Sequence, residues 1–315
     1  MSQGRGGWGW RLANSLRRQW LRYATGLMAV VLLGFMVAIV GQLWTGSQLA
    51  WERWGLEFIT RTEWNPPRGE FGALPFVAGT LMTSVMAMVI AVPISLGIAI
   101  LLSEYAPRSI RDPLVFIVEL LAAIPSVVFG LWGIFVLAPL MREYVFPLIA
   151  ASPLGWLPIF GQAGGGYTLM TASVILAIMI IPIITSLSRE VLLSVPPEQK
   201  EAALALGATR WEAVRHVVLS SARAGVFSAA ILGLGRALGE TMATTMTIGN
   251  RIRLTSDFLE PGYSMTAVIA NELREAGTNL HVSSLIAVGL LLFFLSFALN
   301  TVGRIIVTRW HGAGT

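Results

Sequence analysis

The stretch PPEQKEAALALGATRWEAVRHVVLS, residues 196–220, lies between two long apolar runs and decides how the rest of the chain is read. Pro196 and Pro197 suit the first turn of a helix, where a missing N–H costs nothing. Glu198 and Glu201 add negative charge near the positive end of that helix. The spacing predicts a helix over 197–206 that stops at Gly207, a residue free to take the left-handed conformation after a helix end. Thr209 then caps a second short helix, and Glu212, three residues on, completes a capping box. Two short helices meeting at a corner make a rigid ridge. A helix–glycine–helix pair also describes a DNA-reading helix-turn-helix. Here both flanks enter apolar runs within a few residues, leaving no room for the supporting helix such a domain needs.

Those apolar runs dominate the chain. Of its 315 residues, 55% are apolar and 12% charged, against roughly 25% charged in soluble domains, so the bilayer must serve as solvent for much of the surface. Six stretches (24–43, 73–102, 114–141, 169–193, 222–248 and 281–306) reach the ~20 apolar residues of a spanning helix. Arg17, Arg18 and Arg22 give the first the look of a signal peptide. Its run is too long for one, and no small-x-small cleavage site follows, so it reads as a retained span. With both termini cytoplasmic, fourteen basic residues fall on inner segments and seven on outer ones, the bias that sets orientation. The net charge of +5 then reflects cytoplasmic arginines rather than nucleic-acid binding. Pro93, Pro125 and Pro182 predict kinks inside spans, their freed carbonyls satisfied by neighbouring helices.

The outer segments are substantial. Residues 44–72 carry Trp44, Trp51, Trp54 and Trp64, the expected composition of an interfacial belt. Residues 142–168 hold Pro147, Pro153, Pro158 and a glycine run at 164–166, a flexible connection. Residues 250–280 predict a short amphipathic helix around 265–273. Each reads either as solvated connection or as a docking surface for an external partner. The expected organisation is an N-terminal segment at 1–23, a first span with its outer loop at 24–72, a core of five spans at 73–309 that includes the ridge, and a tail at 310–315.

Little of the chain suits catalysis. It has no cysteine, and His216, His281 and His311 lack HExxH spacing, so neither a disulfide nor a metal site is expected. A P-loop needs Gly-Lys-Ser/Thr, yet the only lysine, Lys200, follows Gln199. Gly233, Gly235 and Gly239 are spaced GxGxxxG rather than GxGxxG and lie mid-span, which argues against a nucleotide there. No cofactor and no enzymatic activity are expected of the chain itself.

Arg236 falls near the middle of the fifth span, with Glu240 four residues on. An arginine or aspartate at a helix centre costs about 2.5–3.5 kcal/mol on insertion, so such charges face a bundle interior or a pathway. Partners at i,i+4 share a helix face, and a self-neutralising pair is one reading. Such pairs contribute only ~0.2–0.5 kcal/mol, less in the Arg-then-Glu order, so a translocation-pathway role for Arg236 and Glu240 is the stronger reading. Gly235 and Gly239, with Gly225, Ser228 and Leu232, form a small-residue stripe for close helix packing. Glu119, near the inner end of the third span, reads as an interface or packing residue.

The ridge resembles the EAA loop of ABC-importer permeases: Glu201-Ala202-Ala203, three residues, Gly207, nine residues, then Val217-Val218-Leu219. Ser220 stands where that pattern has proline, which implies a less sharply set start for the following helix. The runs GLGRALGETMA (233–243) with TIGN (247–250), ELLAAIPSVVFG (119–130) and PGYSMTAVIAN (261–271) resemble the PstC-type permeases of phosphate (Pst) importers, more than their PstA-type sisters. The likeness covers roughly residues 73–309. It implies an all-α type I permease fold with six spans, N-in and C-in, in a bacterial inner membrane, with Glu201, Ala202, Ala203 and Gly207 forming a coupling helix. It also implies a PstA-like permease partner, two PstB-like ATPase subunits that bind ATP and Mg, an external phosphate-binding protein, and phosphate as cargo. Permeases for sulfate, molybdate or phosphonate would share this architecture. A secondary transporter would call for internal repeats with paired broken helices, and an intramembrane hydrolase for a GxSxG or HExxH motif; the sequence offers neither.

Overall fold

The computed structural model describes residues 7–161 and 165–312; Arg5, Gly164 of the glycine run and the last residues of the tail lie outside them. Among the described residues, six helices are long and apolar enough to cross a membrane. In chain order, α1 (Gly7–Gly46) contains the first of these spans, Trp20–Gly46. Two short helices, α2 (Gln48–Trp54) and α3 (Glu57–Thr60), lead to α4 (Leu74–Tyr105). Next come α5 (Arg108–Ala123), α6 (Ser126–Ala151) and α7 (Leu169–Leu193). The ridge helix α8 (Pro197–Ala205) precedes α9 (Arg210–Gly239) and the short α10 (Met242–Thr247). The outer helix α11 (Met265–Glu272) and the last helix α12 (Asn279–Gly312) complete the chain.

The core is a close pairing of α4 and α7. Ala87 and Ala91 meet Leu176, Ala177, Ile180 and Ile184, and Ala237 of α9 joins them. Small residues at the seam let the backbones approach, and packing of this kind drives helix association where lipid removes the hydrophobic advantage. Beside Pro93 and Pro182 the two helices are cross-linked by polar groups: the Ser95 hydroxyl donates to the Ile181 carbonyl (3.2 Å), and Thr185 to the Ser95 carbonyl (3.4 Å). Helix α1 stands apart, leaning on α12 and leaving Leu27, Val31, Phe35 and Val37 exposed to lipid.

Two expected spans are built differently. The third was expected over 114–141 with a kink at Pro125. Instead the chain breaks there: Ile124 is extended (φ −65°, ψ 128°), and α6 begins afresh at Ser126. Proline crowds the residue before it out of the helical region and supplies no N–H for the ladder. Gly133 lies against Ile175, two turns from the outer end of α7. Pro125, eight residues earlier, is therefore about 12 Å further in, roughly halfway along α7. Glu119 sits on α5, which buries none of its residues against the chain, so it is exposed rather than packed. The fifth span was expected over 222–248. Its helix instead runs from Arg210 to Gly239 through a π-turn at Val214–Val218, stops at Glu240, and resumes as α10. With Ser220 in place of proline the backbone keeps its N–H, and no new helix start forms there.

The outer segment 44–72 is a folded cap rather than a loose belt. Phe58, Phe71 and Phe76 are fully buried with Met265 and Leu285. The Trp64 indole donates to Glu272 (2.8 Å), whose carboxylate also meets His281 (3.0 Å), and the Trp51 indole donates to Ser47 (3.0 Å). The helix expected around 265–273 forms over Met265–Glu272, capped by Ser264. Contacts between segments therefore gather 46–73 and 248–281 at one end and 104–111 and 197–210 at the other, the alternation that six spans with both termini inside require.

This topology is checked by labelling single cysteines placed in a cysteine-free chain. Ser47 is buried and unsuited, whereas Ser109, Ser194 and Ser256 are exposed. Ser256→Cys should react with an impermeant maleimide from outside, while Ser109→Cys and Ser194→Cys react only once the inner face is opened; labelling of Ser194→Cys from outside would overturn the six-span arrangement.

Candidate translocation and coupling sites

The ridge forms as its sequence dictates. Helix α8 starts with Pro197 in its first turn and stops when Gly207 takes φ +89°. The Ala208 N–H then reaches the Ala203 carbonyl (3.1 Å) and the Gly207 N–H the Leu204 carbonyl (3.0 Å), the paired bonds of a Schellman end. Thr209 caps the next helix: its hydroxyl accepts from the Glu212 N–H (3.3 Å), and the Glu212 carboxylate accepts from the Thr209 N–H (2.8 Å). The second helix is not short, however; it is the first turn of α9, so the second half of the ridge and the fifth span are one rod. Glu201, Ala202 and Gly207 are exposed and Ala203 partly so. Beside them Leu206 is 90% and Trp211 51% exposed. Large apolar side chains projecting past the membrane end of a protein mark a docking surface. Sequence reasoning picked the motif residues and passed over Leu206 and Trp211, whose exposure depends on how the corner folds.

A second feature of this end is long-range. Glu104, in the last turn of α4, is buried and forms an ion pair with Lys200 of α8. Its backbone carbonyl accepts from the Arg210 guanidinium, which lies 5.0 Å over the Tyr105 ring. Ninety-six residues separate Glu104 from Lys200, and no local spacing announces the pair.

At the other site, Arg236 and Glu240 do not share a helix face. Glu240 is extended (φ −71°, ψ 123°) and ends α9. Its side chain turns back to accept from the Ala243 N–H (3.4 Å) at the start of α10, and its carbonyl accepts from the Thr266 hydroxyl (2.9 Å). Glu240 is only 9% exposed, whereas Arg236 is exposed and forms no ion pair with it. The expected i,i+4 pair fails because it presupposed an unbroken helix, and the carboxylate is used where the helix stops. Arg236 shares its open face with Leu232 and Gly239, and Met242 is exposed just past the break. Its neighbour Ala237 packs at the middle of α4 and α7, so the free guanidinium lies near half depth, about 39 Å along α9 from the ridge at 1.5 Å per residue.

The two breaks are neighbours. A side chain at Gly130 would strike Ala243 and Met246, and one at Gly133 would come within 2.6 Å of Thr247, so the start of α6 runs beside α10. The small-residue stripe is also redistributed. Of the glycines of α9, Gly225 and Gly233 press against α7, at Val191 and Ile184, while Gly235 only borders Asn300 and Gly239 faces open space.

Residues 91–312 match the family model described as "Binding-protein-dependent transport system inner membrane component". A protein of Xylella fastidiosa named "Phosphate transport system permease protein PstC" is 44% identical over 289 residues, covering 90% of this chain and 88% of its own. One of the same name from Haemophilus influenzae is 43% identical over 292 residues, covering 91% and 92%. Among solved structures, a bacterial ABC transporter involved in the import of the acidic polysaccharide alginate aligns over 95% of this chain and 99% of its own, with a TM-score of 0.61 at 17% identity, a likeness of fold.

The ridge geometry carries its own test. A β-branched residue at φ +89° is strained by ~1–3 kcal/mol, so Gly207→Val should break the Schellman bonds and speed hydrogen exchange at the amides of residues 207 and 208 at least tenfold. Gly207→Asn, which tolerates the left-handed region, should exchange near the wild-type rate. Equal protection in both variants would refute the left-handed corner.

Proposed function

This chain belongs to the PstC-type permeases, within the wider family of binding-protein-dependent inner membrane transport components, and from that premise we propose that it imports inorganic phosphate with Arg236 as the charge that meets the anion on its way through. It is a membrane subunit of a phosphate ABC importer, a permease without enzymatic activity of its own. The observation that carries the mechanistic reading is the free guanidinium on an open face near half depth, one turn before the break that ends α9.

A desolvated phosphate needs transient positive charge, and a guanidinium engages two of its oxygens at once. Tight chelation would stall transport, so a single arginine on an open face suits passage better than a closed pocket. In this reading Glu240 belongs to the pathway by holding the break that presents Arg236. The uncovered faces of α5 and of α9 around Arg236 belong against a second permease, a PstA-like subunit, with phosphate passing between the two. The ridge, with Glu201, Ala202, Ala203 and Gly207 at its corner and Leu206 and Trp211 projecting, seats in one of two PstB-like ATPase subunits, which bind the ATP and Mg. An external phosphate-binding protein delivers cargo at the folded outer cap, and the membrane is the bacterial inner membrane. A rigid corner continuous with α9 transmits displacement where a flexible loop would absorb it.

In vesicles holding the full complex, ATP-dependent uptake of labelled phosphate should be competed by unlabelled phosphate and little by sulfate or molybdate. Arg236→Gln should assemble and hydrolyse ATP yet import phosphate at least tenfold more slowly, with Arg236→Lys intermediate because it keeps the charge without the fork. Wild-type uptake by Arg236→Gln would defeat the assignment.

A further inference from the structure

We propose that Glu104 is the fixed point through which the ridge moves the second and third spans, with Glu104, Lys200 and Arg210 acting as positioning residues for transport coupling. The inference rests on the reading of the ridge as the ATPase-coupling element. Glu104 belongs to the π-turn Leu101–Tyr105 that ends α4. The Ala106 N–H closes that turn on the Leu101 carbonyl (2.8 Å), Pro107 redirects the chain, and α5 begins at Arg108. The Arg111 guanidinium donates to the Ala106 carbonyl (3.1 Å), fastening the far side of the corner.

Into this corner the ridge reaches with two cations from opposite sides of Gly207. Lys200, on α8, pairs with the Glu104 carboxylate; Arg210, the first residue of α9, donates to the Glu104 backbone carbonyl and covers Tyr105. The Glu104 side chain is 8% exposed although it lies at a membrane end where water is at hand. An exposed ion pair there would contribute little. A carboxylate withdrawn from water and held by a lysine is instead sensitive to loss of its partner, because the remaining charge is left uncompensated.

The mechanical consequence follows from connectivity. The ridge and the α4–α5 corner are joined as one body, so a push on the ridge shifts the end of α4 and the start of α5 together. Helix α5 leads to the Pro125 break, and beyond it the start of α6 lies beside α10, whose first turn Glu240 caps. The grip at Glu104 thus supplies a second route from the ridge to the neighbourhood of Arg236, besides α9 itself.

The test uses the full complex with its ATPase and binding protein in vesicles, with labelled inorganic phosphate uptake and ATP hydrolysis measured on the same preparation and normalised to assembled complex. Glu104→Gln and Lys200→Met should each assemble and hydrolyse ATP within about twofold of wild type, yet import at least tenfold less phosphate per ATP. The double exchange Glu104→Lys with Lys200→Glu should recover most of that ratio, since Arg210 bonds only the backbone at position 104. Single variants with an unchanged ratio would overturn the proposal. So would variants that merely assemble poorly while each assembled complex transports normally, or that fail to assemble at all, since the pair would then be a folding contact. A wild-type complex that did not couple phosphate uptake to ATP would overturn the importer reading and this inference with it, whereas equal coupling in wild type and variants would overturn only the inference.

Discussion

Hydrocarbon offers no partner to a backbone N–H or C=O, so a helix that stops inside a bilayer must bring its partners with it. The break after Gly239 depends on such partners. The Glu240 carbonyl is met by the Thr266 hydroxyl, the Ala243 N–H by the Glu240 carboxylate, and the Gly239 carbonyl by the Thr241 hydroxyl (3.4 Å). Thr266 arrives on α11, which re-enters from the outer side and whose own first N–H groups are satisfied by Thr80 and Ser264. The segment between α10 and α12 is therefore part of the machinery that allows α9 to end where it does. Without the break, Glu240 would continue the helix and lie on the face of Arg236, where it would compete for the guanidinium.

At the inner end the same helix begins in a very different setting. Thr209 and Glu212 cap it in water, and the caps hold a corner that Gly207 alone makes sterically easy. Between the two ends the ladder is uninterrupted because Ser220 retains the N–H that proline would remove; the π-turn at Val214–Val218 absorbs the extra residue without stopping the helix. The departure from the EAA pattern thus has a structural meaning. It leaves a single helix running from the corner at Thr209 to the break at Glu240.

What could be read from the sequence was whatever is encoded locally. The ridge caps, the stop at Gly207 and the helix near Met265 each rest on neighbours within four residues, and each forms. The apolar runs located all six spans, since length and composition suffice for that. Apolarity says nothing about whether the ladder inside a run is continuous, which is why Pro125 and Glu240 were placed within unbroken spans. Glu104 and Lys200 were illegible for another reason. Each looks like an ordinary charge at a membrane boundary, and only the tertiary fold sets them together. Trp64 was likewise read by type, as a belt residue, when its indole is committed to Glu272 across the outer cap.

Arg236 is where these threads meet, because a free charge at half depth is the least affordable feature of the chain. An arginine at a helix centre costs about 2.5–3.5 kcal/mol on insertion scales, and the carboxylate nearest in sequence is turned away to cap α10. The guanidinium must therefore be met by something outside its own helix: water in a cavity, a second subunit, or an anion. A resident carboxylate on the same face would neutralise it. Its diversion to the helix break leaves the positive charge available, and the open face formed by Leu232, Arg236 and Gly239 leaves it approachable. Glu240 thereby does two things with one side chain, satisfying the backbone where the span is interrupted and withdrawing its charge from Arg236, and the second depends on the first.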